Sequence, residues 1–253
     1  MSGKKDCSPF LLQYFRLVDH FSISINKTDD LIIYRSIWPA MNSNMFVILK
    51  GHDALLIDSN IDKDLVTLLK NNSIKHVYVI LTHEHYDHTF GVPWLKENFD
   101  TTLICNKICA ERVAEGRINI PRLVSFVLSQ RDLEDGGGRY QEFKKMYKPY
   151  TLHADIVYDT PCEFELLGMS FKATQTPGHS PGSWCLVVDD TFVVTGDCLI
   201  QNTPVLEKFK ESSPEDYRNI TIPFLNGLDE NLYVLPGHGD PFVLKENGIL
   251  NKY

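Results

Sequence analysis

Short runs of apolar, β-branched residues separated by polar turns recur along the chain, and their periodicity changes from place to place. FSISIN (21–26), LIIYRS (31–36), NMFVILK (44–50) and DALLID (53–58) predict strands, by two-residue alternation or by β-branched content. DKDLVTLLKNN (62–72) has helical spacing instead, with Leu65, Leu68 and Leu69 on one side. HVYVILT (76–82) is a continuous apolar run, as expected of a strand buried on both faces. TTLICN (101–106) predicts a strand, KICAERVAEG (107–116) a helix, and 121–147 a helical stretch broken at Gly136, Gly137 and Gly138. Strands return in DIVYD (155–159), CEFELL (162–167), SFKATQT (170–176), SWCLVV (183–188) and TFVVTG (191–196). A helix near 214–228 and a last strand, LYVLPG (232–237), complete the pattern.

Two regions echo each other. NMFVILKGHDALLIDS (44–59) and SWCLVVDDTFVVTGD (183–197) each set two apolar strands around a polar turn, and the second strand runs into an aspartate, Asp58 or Asp197. In both, a helix follows and then an apolar strand that ends at histidine, HVYVILTHEH in one half and LYVLPGHGD in the other. The echo predicts two β-rich halves whose sheets pack face to face with helices outside, an α/β (α+β) architecture.

Composition narrows the classes. With 253 residues, 43% hydrophobic and 23% charged, the chain has the profile of an ordinary globular protein with a sizeable core, and we expect a single domain over 1–253. No stretch approaches the ~20 consecutive apolar residues of a bilayer span, and MSGKKDCSPFLLQYF lacks a signal-peptide cleavage pattern. A cytoplasmic protein without a membrane partner is the expectation. A net charge of −8 with no Lys/Arg cluster argues against nucleic acid as a partner. Cys7, Cys105, Cys109, Cys162, Cys185 and Cys198 form no CxxC and sit mostly in apolar surroundings, which predicts free structural thiols; the spacing of Cys105 and Cys109 suits one helix face.

The densest chemistry is in YVILTHEHYDHTFGV (78–92), where an apolar strand gives way to His83, His85, Asp87 and His88 within six residues. Imidazole nitrogens and carboxylate oxygens at a strand end are the donors that borderline divalent metals such as zinc prefer. So few residues cannot close a shell around two ions, so further ligands must come from elsewhere. His179 in TPGHSPGS, Asp197 in VVTGDCL and His238 in VLPGHGD each follow an apolar strand in a tight Pro/Gly or Gly turn. Any one of them alone is more often a loop residue than a ligand. Together with the dense motif they form a pattern that His20, His52, His76 and His153 do not share.

HEHYDH, TPGHSPG, TGD and PGHG, in this order, resemble the metal motifs of the metallo-β-lactamase-fold superfamily, and most closely its glyoxalase II-like hydrolase branch; the match runs from about Phe21 to Asp240. The resemblance implies a four-layer αβ/βα sandwich of two mixed β-sheets with outer helices and a metal site at the sheet edge. It also implies that His83, His85 and His179 hold one metal, Asp87, His88 and His238 the other, and that Asp197 bridges them. The cofactors expected are two divalent ions, Zn2+ first, with Mn2+ or Fe2+ as alternatives. Such a pair keeps hydroxide available near neutral pH to attack an ester, thioester or lactone of a small-molecule acyl substrate, with Asp87 as a catalytic residue orienting it. An iron-dependent oxygenase resembling the sulfur dioxygenases is the alternative activity. Asp197 stands where the β-lactamases carry Cys or Ser, and the fifteen residues after His238 are too few for the glutathione-binding helical domain of a true glyoxalase II.

Residues 110–150 read as a helical insertion. Pro121 suits a helix start, Leu123, Val124, Phe126, Val127 and Leu128 make a dense apolar face, and the pair is either a lid over substrate or a packing or homodimer element. Near the site, Asn42, Ser43 and Asn44 could meet substrate from a loop, Tyr86 could donate to an oxyanion or point into the fold, and Asp58 is expected to orient a ligand histidine.

Overall fold

The computed structural model describes residues 16–26, 29–115, 121–205 and 210–248, apart from the side chains of 16–30, Leu123 and Met146. Its first half is a mixed sheet of β1 (Arg16–Asn26), β2 (Asp29–Trp38), β3 (Ser43–Lys50), β4 (Asp53–Ile57), β5 (His76–Ile80), β6 (Asp100–Asn106) and β7 (Ile156–Tyr158), in that spatial order. The second sheet runs β13 (Phe242–Val243), β12 (Tyr233–Pro236), β11 (Phe192–Gly196), β10 (Trp184–Val188), β9 (Met169–Gln175), β8 (Cys162–Leu166).

The sequence echo is a topological one. β3 and β4 form an antiparallel hairpin, and β5 then joins β4 in parallel after a helical crossover. β10 and β11 form the corresponding hairpin, and β12 joins β11 in parallel. Parallel pairing requires a crossover, and the crossover helix necessarily lies on a sheet face.

Strand periodicity sorts side chains into layers. In β3, Phe46 and Ile48 face the other sheet while Met45 and Val47 face outward; in β10, Trp184, Leu186 and Val188 face inward and Cys185 and Val187 outward. The continuous apolar runs are therefore strands covered on both sides. Phe46, Ile57, Ile80 and Ile104 meet Phe171, Trp184, Phe192 and Leu235 between the sheets. Outside the first sheet, α1 (Lys63–Asn71), α3 (Val92–Asn98) and α4 (Lys107–Val113) bury Leu65, Leu69, Leu95, Cys109 and Val113. Outside the second lies α8 (Ile222–Asn226), with Leu225 buried. The result is a four-layer αβ/βα sandwich. Where one face is open, as in β8, Cys162, Phe164 and Leu166 turn toward the core and Glu163 and Glu165 to solvent.

Two short helices went unforeseen: α2 (Tyr86–Thr89), inside the histidine motif, and α3 immediately after it. The helical stretch near 214–228 is a composite of α7 (Pro214–Asp216), a π-helical turn at Tyr217–Thr221, and α8. Cys105 and Cys109 do not share a helix face. Cys105 lies one residue from the end of β6 and Cys109 lies in α4, because Asn106 between them caps the helix by accepting the Cys109 amide hydrogen. Cys105, Cys109, Cys162, Cys185 and Cys198 are free thiols; Cys7 lies outside the described residues.

The stretch expected to be helical and broken at three glycines forms α5 (Arg122–Asp135) and α6 (Arg139–Met146), with Gly136 closing α5 in the left-handed conformation. Its five apolar residues do not make one face: at about 100° per residue consecutive positions spread round a helix. Val124 and Leu128 are buried, whereas Phe126 is 60% exposed, and the side chain of Leu123 lies outside the described residues. Val124, Leu128 and Phe143 pack on Trp38, Ile61 and Phe90. No helix among the described residues is long and apolar enough to cross a membrane.

Candidate metal centre

Four strand ends meet at one edge of the sandwich. β5 runs through Leu81 and Thr82 into His83 and His85, and α2 then presents Asp87 and His88 one residue apart. The turn after β9 brings His179, the end of β11 brings Asp197, and the turn after β12 brings His238. A bridge between Ser43 and His238, with the Asn44 amide donating to Gly237 O at 2.7 Å, ties the start of β3 to the end of β12 and so joins the sheets at this edge. Gly237 is required here by space: a Cβ would run into Asp197 Oδ1 and approach His88 Cε1.

All seven residues expected as ligands are brought together. His179 Nε2 lies 2.9 Å from His85 Nδ1 and 3.2 Å from Asp197 Oδ2. His238 Nε2 lies 3.3 Å from Asp197 Oδ2, 3.3 Å from Asp87 Oδ2 and 3.4 Å from His88 Nε2. His88 Nε2 is 3.4 Å from Asp197 Oδ1. Donor atoms converge in three overlapping groups, His83/His85/His179, His83/His88/Asp197 and Asp87/His88/His238.

These residues fit divalent cations. Metal–nitrogen and metal–oxygen bonds of about 2.0–2.1 Å put the donors of a tetrahedral shell roughly 3.3 Å apart, which is the spacing seen. Moreover, His83 Nε2, Asp87 Oδ2 and Asp197 Oδ1 are buried atoms with no hydrogen-bond partner, an arrangement that costs stability unless a cation satisfies them.

The surroundings aim each donor inward. Asp58, expected to orient one histidine, serves two. Its Oδ2 accepts from His88 Nδ1 at 2.8 Å, and Thr82 donates to it through both its amide (2.7 Å to Oδ1) and its hydroxyl (2.8 Å to Oδ2). With its single proton committed to Asp58, the Thr82 hydroxyl accepts from His83 Nδ1–H at 3.0 Å, leaving the His83 Nε2 lone pair facing the centre. His238 Nδ1 donates to Met41 O at 3.1 Å. Sequence reading missed Thr82 and Met41, although Thr82 directly precedes the motif.

Ser43 and Asn44 do not line a substrate loop. They are buried, Ser43 Oγ donating to Asp87 O and Asn44 Nδ2 to Pro236 O and Gly239 O, because both open β3 and face the ligand turns. Asn42 is exposed in the turn before them. Tyr86 points into the fold, stacked on Phe90 with centroids 5.5 Å apart and edge-on to Phe143 and Tyr147. Of the other histidines, His76 pairs with Asp100 and His52 with Ser73 O, far from this edge; the His20 side chain lies outside the described residues.

The turn carrying His179 is gripped from outside by residues no sequence signal marked. Ser212 Oγ donates to His179 O, the Ser213 amide to Gly178 O, and Thr221 Oγ1 to Pro177 O. Tyr217, in the π-helical turn, packs against Gly178 and donates its hydroxyl to Cys198 O beside Asp197. π-helical turns often mark functional regions.

Electrostatics divide the centre. Desolvation holds His85 and His179 down to about 4 and His83 well below its ordinary value. Desolvation would also lower His88, yet Asp87, Asp197 and Asp58 raise it to about 9, and His238 is likewise raised by Asp197 and Asp87. Burial opposes ionisation of Asp87, but His88 and His238 hold it at about 2; Asp197 is held low by His238, His88 and His179.

The model of one family, described as the metallo-beta-lactamase superfamily, matches residues 38–238, a span that contains every residue of the centre. The chain belongs to the metallo-beta-lactamase superfamily. Among its relatives, "Probable metallo-hydrolase M6_Spy0554" of Streptococcus pyogenes is 26% identical over 209 residues, covering 81% of this chain and 80% of that one. "Probable metallo-hydrolase YqgX" of Bacillus subtilis is 22% identical, over 79% of this chain and 86% of its own. Among solved structures, the BLEG-1 B3 metallo-beta-lactamase superposes with a TM-score of 0.63 at 19% identity, covering 92% of this chain and 99% of that one. TTHA1623 in a di-iron-bound form gives 0.60 at 21% identity, over 81% and 91%. At these identities the structural likeness shows the shared fold.

Proposed function

We propose that the protein is a metallohydrolase that holds two divalent ions and cleaves an ester, thioester or lactone bond of a small-molecule acyl substrate, in the manner of the glyoxalase II branch. The observation that carries this reading is the convergence of seven buried or half-buried donors at the spacing of ligand shells, with three inward-facing polar atoms left without a hydrogen bond. His83, His85 and His179 would hold one ion, Asp87, His88 and His238 the other, with Asp197 between them. Nitrogen and oxygen donors of this kind favour zinc. Supporting it, two relatives are named as metallo-hydrolases.

When bound, a pair of divalent ions supplies an ionised water near neutral pH and positive charge opposite the oxyanion that develops on an attacked carbonyl. The chain's own residues prepare for that event. Thr82, Asp58 and Met41 fix the Nδ1–H tautomers of His83, His88 and His238 and so present their Nε2 lone pairs. Asp87, held ionised, turns Oδ2 into the centre, where its carboxylate would accept a hydrogen bond from the attacking water and orient it. Beside the Asp87 turn, half-buried Met41 and Tyr147 border the aromatic cluster and would offer an apolar bank for the acyl group.

Iron in the same pockets is the second reading, favoured by the di-iron form of TTHA1623. Metal analysis of freshly purified protein, followed by a panel of acyl thioesters, homoserine lactones and aryl esters, separates the two. Two zinc or manganese per chain with acyl hydrolysis is expected. Iron with oxygen uptake and no hydrolysis would overturn the hydrolase reading.

A further inference from the structure

Between His83 and His85 stands Glu84, whose carboxylate points away from the centre and is fully buried. Both its oxygens are engaged. Arg112 Nε, from α4, donates to Oε1, and Ser180 Oγ donates to Oε2 at 3.0 Å. Ser180 follows His179 directly and shares a further hydrogen bond of 2.8 Å with Ser183. The turn is shaped around the carboxylate: a Cβ on Gly182 would run into Glu84 Oε2 and press on the Cys109 backbone. Gly182 O in turn accepts from Asn106 Nδ2 at 2.7 Å, and Asn106 caps the helix that carries Arg112.

Arg112 continues the chain. Its second nitrogen reaches Glu211, whose neighbours Ser212 and Ser213 donate to His179 O and Gly178 O. One ionic chain therefore holds the His179 turn from two sides, through Ser180 and through Ser212, and anchors both to the segment between two ligands of the other turn. The opposite pocket has no such tie to Glu84; Asp58 and Met41 O orient its histidines instead. A buried carboxylate with a planar guanidinium partner is a geometrically rigid link.

We infer that Glu84, acting through Arg112 and Ser180, is a positioning residue that sets His179 against His83 and His85, and so tunes the three-histidine pocket alone. This rests on the proposal that the pockets bind divalent ions. The test is competition between the full-length protein and a chelator for Co2+, with the visible absorption of the bound ion as a second readout. A His238→Ala background reads the three-histidine pocket, and a His179→Ala background the other.

Glu84→Gln should weaken Co2+ binding in the three-histidine pocket by about 10–100-fold and alter its absorption band, as loss of an outer support does. Affinity in the other pocket should stay within about threefold. Ser180→Ala, which removes one arm, should cost the same pocket about 3–10-fold, and it decides the matter if Glu84→Gln fails to fold. Unchanged affinity and spectrum in the three-histidine pocket, or equal losses in both pockets, would overturn the inference. Absence of Co2+ binding by the unmutated protein would instead sink the metal reading itself.

Discussion

The pocket of His83, His85 and His179 and the pocket of Asp87, His88 and His238 are built from nearly the same side chains, yet they meet a cation in opposite states. In the first, desolvation outweighs the opposing pull of Asp87 and Asp197, and imidazoles held at about 4 are neutral and ready to bind. In the second, carboxylates hold a proton on His88 up to about 9, so an arriving ion must displace it. The difference is the placement of Asp87, Asp197 and Asp58 around His88 rather than the histidines themselves. Burial and a neighbouring charge act on one residue type in opposite directions.

Removing what the pockets share should have the largest effect. Asp197→Ala takes away the carboxylate that touches His179, His88 and His238, and both ions should bind at least about 100-fold more weakly, with hydrolysis lost in proportion. Metal content after gel filtration measures this; retention of two ions would show that Asp197 does not join the pockets.

The next test separates them. Asp58→Asn leaves His88 Nδ1 without its anionic acceptor, and the Asp87/His88/His238 pocket should lose about 10–100-fold in zinc affinity. His83, held only through Thr82, should be affected less. Calorimetric titration resolving two binding steps would show one step moved and the other nearly in place; equal movement would contradict the comparison.

Protons sharpen it further. Zinc entering the second pocket at pH 7 should release about one proton or more, since His88 and His238 titrate above their ordinary value, while the first pocket should release almost none. The same shifts fix the stability of the protein before ions bind. His85 and His179 have folded values below the unfolded one, so the stability they confer is present above about pH 6.5 and is lost as pH falls toward 4. His88 has a folded value above the unfolded one, so its contribution is full below about pH 6.5 and is lost as pH rises toward 9. A Tm profile of chelator-treated protein should peak near pH 6.5, and a steady rise from pH 6 to 9 would argue against the protonated second pocket.

The smallest effects belong to α5, which supplies none of the seven donors. Leu128→Ala should cost about 2–5 kcal/mol of stability, because its side chain is buried in the cluster with Trp38 and Phe90. Phe126→Ser, on the exposed side, should cost within about 0.5 kcal/mol. Unfolding in urea compares them, and equal costs would mean that the helix packs on another face.

Much of the centre was legible because ligand chemistry confines donors to few residue types and places them at strand ends, where HEHYDH, TPGHSPG, TGD and PGHG lie. Asp58 was legible for a related reason, as an aspartate at the end of a strand beside the motif. Ser43, Asn44 and Tyr86 were harder: a polar triplet before a strand looks alike whether it meets solvent or holds a neighbouring turn, and an aromatic inside a ligand motif looks alike whichever way it points. The apolar run of α5 does not form one face, because consecutive helical positions diverge by about 100° and a dense apolar run alone does not show which side packs.

By itself the sequence determined most of the succession of strands along the chain, the doubled hairpin-and-crossover pattern and which seven side chains to look for at strand ends, because side-chain periodicity and residue chemistry are local properties. Only the tertiary structure decided which histidines are neutral and which protonated, and that Glu84, Arg112, Ser212 and Tyr217 surround the His179 turn. Those outcomes depend on distances between residues far apart in the chain and on exclusion of water where the two sheets meet, neither of which any local pattern encodes.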